Sequence, residues 1–387
     1  MMGIAEGTQP RIVNRSGPFA AVRLGPLMSP LKGDRREAAG VLNPAAARGP
    51  DGKLYLLPRL VAEGNFSRIG LAEVLFDARG DPSGVKRMGI VLEPEEEYEN
   101  NPVSGGGVED PRVTYVAHVR RYVMTYTAFS ANGPRIALAW SRDLCHWERL
   151  GLARFRAGNV DFNSVNNKDG VLFPSLVPAP DGTLALALIH RPLFSGTLPR
   201  QVQRRLQRRH LALSRQASAT PASGGPVQGV SAAYKHRSPH ESLWISYCGN
   251  PSTDGQWVFD QHQRLLSPRA SWERIKVGAG APPLLTSMGW LLVYHGVGGR
   301  LDQHRLHYSA GVAVLEARQP RHVLYRSPRP VLSPAETERS GLVPNVVFPT
   351  GLDVRNDLDQ PNRVDMYFGM ADDHIGVATL HLPDRIE

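Results

Sequence analysis

The residues from Val103 to Val113 read VSGGGVEDPRV and gather groups that could do chemistry. Glu109 and Asp110 are adjacent carboxylates, and Arg112 adds a permanent cation whose planar fork suits oxyanions. Three glycines let the backbone come close to whatever lies against it, and Pro111 stiffens the exit. An isolated charged loop is ordinarily just solvated surface. Here, however, the loop leads into β-structure, with YVMTYTAFS from Tyr122 and GPRIALAWS from Gly133. Other cations stand in short motifs along the chain: Arg135 in GPRIALA, Lys168 in NNKDGVLFP, Arg191 beside His190 in HRP, and Lys276 in WERIKVGAGAPP. A cluster of Arg, Lys and His is what a phosphate dianion needs, whereas carboxylates with aromatic rings suit a sugar. Both together suggest a reaction between a sugar and phosphate. Hydrolysis with inversion would require a second carboxylate to activate water, but phosphate is already an anionic nucleophile. No GxSxG elbow, P-loop or HExxH is present, and His304 and His307 make no zinc spacing.

The elements that must position these groups repeat. A strand-like segment resembling I-x-L-A starts at Ile69, Ile136, Trp244, Ala310 and Ile375, at steps of 67, 108, 66 and 65 residues. The long step exceeds the others by about the length of the Arg-rich stretch 195–240, so a single insertion accounts for it. Before each lies an apolar partner: LYLLPRLV, YVMTYTAFS, LALALIHRP, WLLVYHGV and VDMYFGMADD. Five repeats of two or more strands, with hardly a helical pattern between them, predict an all-β chain and a five-bladed β-propeller. Polar residues at corresponding places should then meet near the axis: Arg59, Tyr126, His190 with Arg191, Tyr294 with His295, and Asp372 with Asp373. Burying five such groups unpaired would cost about 2 kcal/mol or more each, so they are expected to have a task.

At 387 residues the chain can bury a large core, and 38 glycines with 32 prolines favour short strands and many turns. The expected organisation is an N-terminal extension over 1–40 that covers a domain or a partner subunit, then a catalytic propeller over 41–387. Two cysteines, no apolar run of spanning length and no signal-peptide core point to a cytoplasmic protein. The net charge of +9 resides largely in the insertion, where Arg200 to Gln216 could form a basic amphipathic helix. Such a surplus could serve nucleic acid or an anionic membrane, but a solvated insertion is the simpler reading. The acidic run Glu93 to Glu99 reads as a solvated turn. No cofactor, metal, nucleic-acid or membrane partner is expected beyond small-molecule substrates and inorganic phosphate as co-substrate, and the N-terminal extension leaves room for a homo-oligomer.

From about Asn43 onward the chain resembles glycoside hydrolase family 130, the β-mannoside phosphorylases and related enzymes. The resemblance rests on NPAAARG, PRLVAEGNFSRIGLA, GGGVEDPRVTYV, NKDGVLFP, HRP, KVGAGAPPLLTSMGWLLVYHGV, VPNVVFPTG and YFGMADD taken together. It implies a five-bladed propeller and inverting, reversible phosphorolysis of a β-mannoside to α-mannose 1-phosphate. Asp110 matches the general acid, which would protonate the glycosidic oxygen through the sugar's 3-hydroxyl, with Glu109 the next candidate. Asn43, Arg59, Glu109, Tyr294 and Asp372 fall where the mannosyl unit would bind. Arg112, Arg135, Lys168, His190, Arg191 and Lys276 are the positions from which phosphate ligands would come. Hydrolysis by a member of the same family, and a sugar-binding propeller without catalysis, are the alternatives.

Overall fold

The computed structural model describes residues 13–386 except 102–104, 159, 195–240, 253–254, 301–304, 339–340, 342 and 361. The basic insertion, its candidate helix, Val103 and the first twelve residues of the chain lie outside the described residues.

The chain begins with a hairpin, β1 (Val13–Ser16) and β2 (Phe19–Met28). An antiparallel meander follows: β3 (Gly40–Arg48), β4 (Leu54–Ala62), β5 (Phe66–Phe76) and β6 (Pro82–Leu92). A second comprises β7 (Gly106–Val116), β8 (Arg121–Ser130), β9 (Gly133–Ser141) and β10 (Glu148–Leu152). The third unit contains β11 (Arg154–Phe155), β12 (Asn166–Leu172), β13 (Val177–Pro178), β14 (Leu184–Leu193), β15 (Leu243–Cys248) and β16 (Val258–Leu266). Its main ladder runs β12-β14-β15-β16, with the two-residue strands β11 and β13 at its margins. In the fourth, β17 (Lys276–Ala279) and β18 (Leu284–Thr286) pair with β19 (Gly289–Arg300), which leads to β20 (Arg305–Leu315) and β21 (Val323–Arg326). The fifth has β22 (Val347–Val354), β23 (Arg363–Met370) and β24 (His374–His381), and β2 joins β24 with β1 outermost. A short parallel contact, Phe66 with Gly106 and Ser67 with Gly107, fuses the first two units into one eight-stranded sheet.

The chain is all-β in architecture. The paired segments of the sequence repeat are the hairpins β4-β5, β8-β9, β14-β15, β19-β20 and β23-β24. Ahead of each hairpin runs an inner strand, with the short β13 and β18 intervening in the third and fourth units, and these five, β3, β7, β12, β17 and β22, lie side by side in the interior. Burial falls from inside outward. Strand β7 is buried along nearly its whole length, whereas β6 is buried only at its two ends. A strand covered on both faces has to be almost continuously apolar, which is why the inner hairpins carry the strong hydrophobic signal.

Five hydrophobic clusters hold the units together, each lying between two neighbours. Leu57 and Ile69 meet Val108 and Met124; Leu138 and Val123 meet Phe162 and Trp244; Ile189 and Leu243 meet Val277 and Trp290; Val293 and Val312 meet Val347 and Phe368; Ile375 and Val377 meet Val41 and Leu56. The last of these returns to the first unit. Ion pairs reinforce the same junction, with Arg48 on Asp353 at 2.7 Å and Arg363 on Asp81 at 2.6 Å. Of the expected N-terminal extension over 1–40, residues 13–28 pair along β24 and extend the last sheet outward. Glu99, read as part of a solvated turn, is corrected. It is buried and accepts hydrogen bonds from Tyr126 at 2.5 Å and Arg149 at 3.0 Å.

Candidate active site

Four of the five interior strands break their ladders at one place each, β22 between Pro349 and Gly351 and the three that matter here at β3 between Leu42 and Ala45, β7 between Glu109 and Arg112, and β12 between Lys168 and Val171. In each of these last three one residue takes the left-handed region, Asn43 at φ 47°, Asp110 at φ 49° and Asp169 at φ 55°. Asn and Asp enter that region more readily than other side-chain-bearing residues, and a bulge re-aims a side chain out of the ladder. Ahead of Asp110, Gly106 and Gly107 have φ of 142° and 113°. A Cβ at either would strike a carbonyl, that of Phe129 or of Ser67. The triple glycine therefore lets the acidic pair pass this close to two other strands.

Around Asp110 the side chains converge. Asn43 Nδ2 donates to Asp110 Oδ1 at 2.8 Å, and Arg59 reaches the same oxygen at 3.2 Å. The other arm of Arg59 holds Glu109 Oε1 at 2.8 Å, while Lys168 stands 3.4 Å from Glu109 Oε2. Asn43 Oδ1 is buried against Gly369 with no hydrogen-bond partner. Burial pushes the Asp110 carboxyl up, but Arg59, Arg112, Lys168 and the Asn43 amide outweigh it and hold the group below its usual range. Asp372, in the tight turn between β23 and β24, goes the other way. Burial, with Asp110 and Glu109 as neighbouring anions and Arg59 opposing, raises it to about 6. The site thus pairs an ionised carboxyl with one that titrates near neutrality.

Beside this cluster lies a second, more cationic one. Arg191, opposite Lys168 in the β12-β14 ladder, donates to Asp169 at 2.7 Å and to Glu241. Lys276 has its ammonium 5.4 Å above the Tyr308 ring, and Glu241 and Arg191 are close enough to act on its charge. His295 is fully buried, packs between Tyr308 and Phe348, and offers two ring nitrogens without hydrogen-bond partners, the nearer 3.7 Å from Asp169. Burial, with Arg191, Lys276 and Arg112 nearby, lowers it to about 3 against the pull of Asp169, so it is neutral and can both donate and accept. Such a nest of cations around an unpartnered imidazole can hold an oxyanion.

Asn43, Arg59, Glu109, Asp110, Lys168 and Asp372 therefore come together, with Arg191 and Lys276 next to them. Arg135 stands at the margin, donating to Asn166 at 2.7 Å two residues before Lys168. The other expectations need correction. His190 is turned away from Arg191 into an aromatic nest with Phe155 and Phe162, hydrogen-bonded to Asn167 at 3.0 Å and Ser246 at 2.8 Å. Tyr294 lies in the core between the third and fourth units and bonds Glu273 at 2.9 Å and Arg326 at 3.1 Å. Tyr126 is likewise core. Arg112 is buried and spends its donors on backbone carbonyls. One cause covers His190 and Tyr294: neighbours in a strand point to opposite faces, so of His190 with Arg191 and Tyr294 with His295 only the second can face the site. His295 is at the site as the repeat predicted, though no ligand role was given to it, whereas Asp169 and Glu241 were missed, although Asp169 adjoins a residue the sequence singled out. Two surface clefts, one lined by Arg156, Trp244 and His262 and the other by Leu284, Met288 and Leu382, contain none of these groups.

Comparison with known proteins gives this geometry a context. The chain is 27% identical over 367 residues to a 1,2-β-oligomannan phosphorylase of Thermoanaerobacter sp. (strain X514), covering 93% of this chain and 96% of that one. It is 30% identical over 284 residues to a β-1,2-mannobiose phosphorylase of the same organism, covering 72% of this chain and 68% of the relative. The solved β-1,2-mannobiose phosphorylase of Listeria innocua, in complex with β-1,2-mannobiose, has the same fold at a TM-score of 0.63 and 21% identity, covering 92% of this chain and 95% of that one. A family model described as β-1,4-mannooligosaccharide phosphorylase matches residues 26–193 and 210–386. With nearly the whole described chain inside that match, the protein belongs to glycoside hydrolase family 130 and is an enzyme of the glycoside phosphorylase class.

Proposed function

We propose that this enzyme is an inverting β-mannoside phosphorylase, which reversibly converts a β-linked manno-oligosaccharide or mannosyl glycoside and phosphate to α-mannose 1-phosphate. The observation that carries the reading is one strained, cation-bound carboxyl, Asp110, beside the oxyanion nest of Lys168, Arg191, Lys276 and His295. The names of its relatives support the substrate class. Asn43, Arg59, Glu109 and Asp372 would bind the mannosyl hydroxyls. Among its protein neighbours alone Asp110 is held ionised. A phosphate dianion among Lys168, Arg191 and Lys276 offsets the cations that keep it so, and Asp110 then takes up a proton. That proton passes through the sugar's 3-hydroxyl to the glycosidic oxygen as the bond from C1 to that oxygen breaks. A phosphate oxygen forms its bond to C1 from the opposite face, which inverts the anomeric centre.

Five units joined by five inter-unit cores support a five-bladed propeller with this site at its axis. Two free cysteines, Cys145 and Cys248, support a cytoplasmic setting. The test is incubation with β-1,2- and β-1,4-mannobioses, with and without phosphate, and identification of the products. Mannose 1-phosphate formed only with phosphate is the expected result. Free mannose released at a rate indifferent to phosphate would make the enzyme a hydrolase, with Asp372 as the candidate base, and binding without product would make it a sugar-binding protein.

A further inference from the structure

Arg112 has the type and sequence position of a phosphate ligand, but not the geometry of one. Its residue is 1% exposed. Nη1 donates to the carbonyl of Asp110 at 2.5 Å, Nε crosses to the carbonyl of Gly280 just beyond β17 at 2.5 Å, and Nη2 lies 3.5 Å from the carbonyl of Ala279. The guanidinium carbon sits 5.5 Å from the centre of the Phe348 ring on β22. Among the described residues it forms no ion pair. A buried cation supported only by carbonyls and a ring face is costly, and an apolar side chain of similar volume would commonly serve stability as well or better. The fork is spent instead on the peptide that carries the acid.

We propose that Arg112 is a positioning residue for the acid, clamping the Asp110 carbonyl to the end of β17 so that the bulge holds the Asp110 side chain toward the sugar. A planar fork can bridge two strands at fixed angles, which the single head of lysine cannot. The clamp crosses from the strand carrying the acid to the strand that begins at Lys276, so it also fixes the acid relative to the oxyanion nest. Its charge acts on Asp110 together with Arg59 from β4 and Lys168 from β12, against Glu109 on its own strand and Asp372 from the β23-β24 turn, while Asn43 from β3 donates a hydrogen bond. This inference rests on Asp110 being the acid.

The test compares Arg112→Lys, Arg112→Met and Asp110→Asn with the unmodified enzyme. Phosphorolysis of a β-mannobiose and of 2,4-dinitrophenyl β-mannoside, whose leaving group needs no proton, is followed across pH, and folding is checked by thermal melting. Both Arg112 variants are expected to lose about 100-fold in kcat on the mannobiose, with far less loss on the aryl substrate and an unchanged KM for phosphate. Loss of the charge in Arg112→Met raises the basic limb of the pH profile by about one unit, whereas Arg112→Lys leaves the limb in place. A raised KM for phosphate with kcat retained would make Arg112 a phosphate ligand and overturn the proposal. An equal loss on both substrates with an unmoved limb would reduce it to a structural residue. Should Arg112→Met not fold, Arg112→Gln carries the same expectations. Substantial mannobiose turnover by Asp110→Asn would instead remove the acid assignment itself, and Asp110→Asn inactivity with unaffected Arg112 variants would sink the clamp alone.

Discussion

Asp372 is the site carboxyl on which pH acts near neutrality. Its folded-state pKa is about 6 against an ordinary 3.8, so the folded protein holds a proton that the unfolded chain releases earlier. Stability from this group is therefore lost as pH rises from about 4 to about 6 and stays lost above that. Asp372→Asn, which cannot ionise, should stabilise the empty enzyme by about 1 to 3 kcal/mol more at pH 7.5 than at pH 4, read as the difference in denaturant unfolding free energy at the two values. A difference that does not change with pH would mean Asp372 is ordinary. Asp110 and Lys168 were legible from the motifs that carry them, and Arg59 and this carboxyl from their corresponding places in the repeated strands. They could not separate Arg191 from His190 or His295 from Tyr294, since in a buried strand both faces are covered and apolar content gives no phase.

Bulges are the devices that turn ordinary ladder positions into site residues. Sequence periodicity found the second and third strands of every unit but passed over β3, β12, β17 and β22, where polar residues, prolines and glycines interrupt the apolar pattern. Those interruptions are the site: Asn43, Lys168 with Asp169, and Lys276 lie on the strands that the hydrophobic pattern did not reveal. Gly278 shows how tightly the elements meet, for a Cβ there would overlap the Asp169 carboxylate and the His295 ring. Gly278→Ala should cost about 2 to 4 kcal/mol of stability and raise the KM for phosphate more than that for the mannoside. An unchanged phosphate KM in a folded variant would place the anion away from His295. The glycine run before Asp110 was legible as a place of close approach, though what it approaches, the carbonyls of Phe129 and Ser67, came from the fold alone.

The whole molecule is held by contacts between neighbours, and its N-terminal hairpin is one of them. Removing residues 1–30 would strip β1 and β2 from β24 and bare an edge strand along with the apolar surface that Phe19 and Ala21 cover, Val312, Leu332 and Leu380 among it. Such a truncation should aggregate or lose cooperative melting, and a soluble truncated enzyme with an unchanged melting temperature would show that the last sheet is complete without them. No helix among the described residues is long and apolar enough to cross a membrane. The fivefold repeat was visible in the spacing of apolar segments because every unit must present two apolar faces, whereas the part played by residues 13–28 was not, since Arg15, Arg23, Gly17 and Pro26 blur their alternation. Above these contacts stands one chemical claim: an acid on one unit and an anion held by the next two attack the same sugar from opposite faces. Proton NMR of a β-mannobiose turning over in phosphate buffer tests it directly. The first anomeric signal to grow is predicted to be that of α-mannose 1-phosphate, and the appearance of β-mannose 1-phosphate, or of free mannose at a rate independent of phosphate, would contradict it.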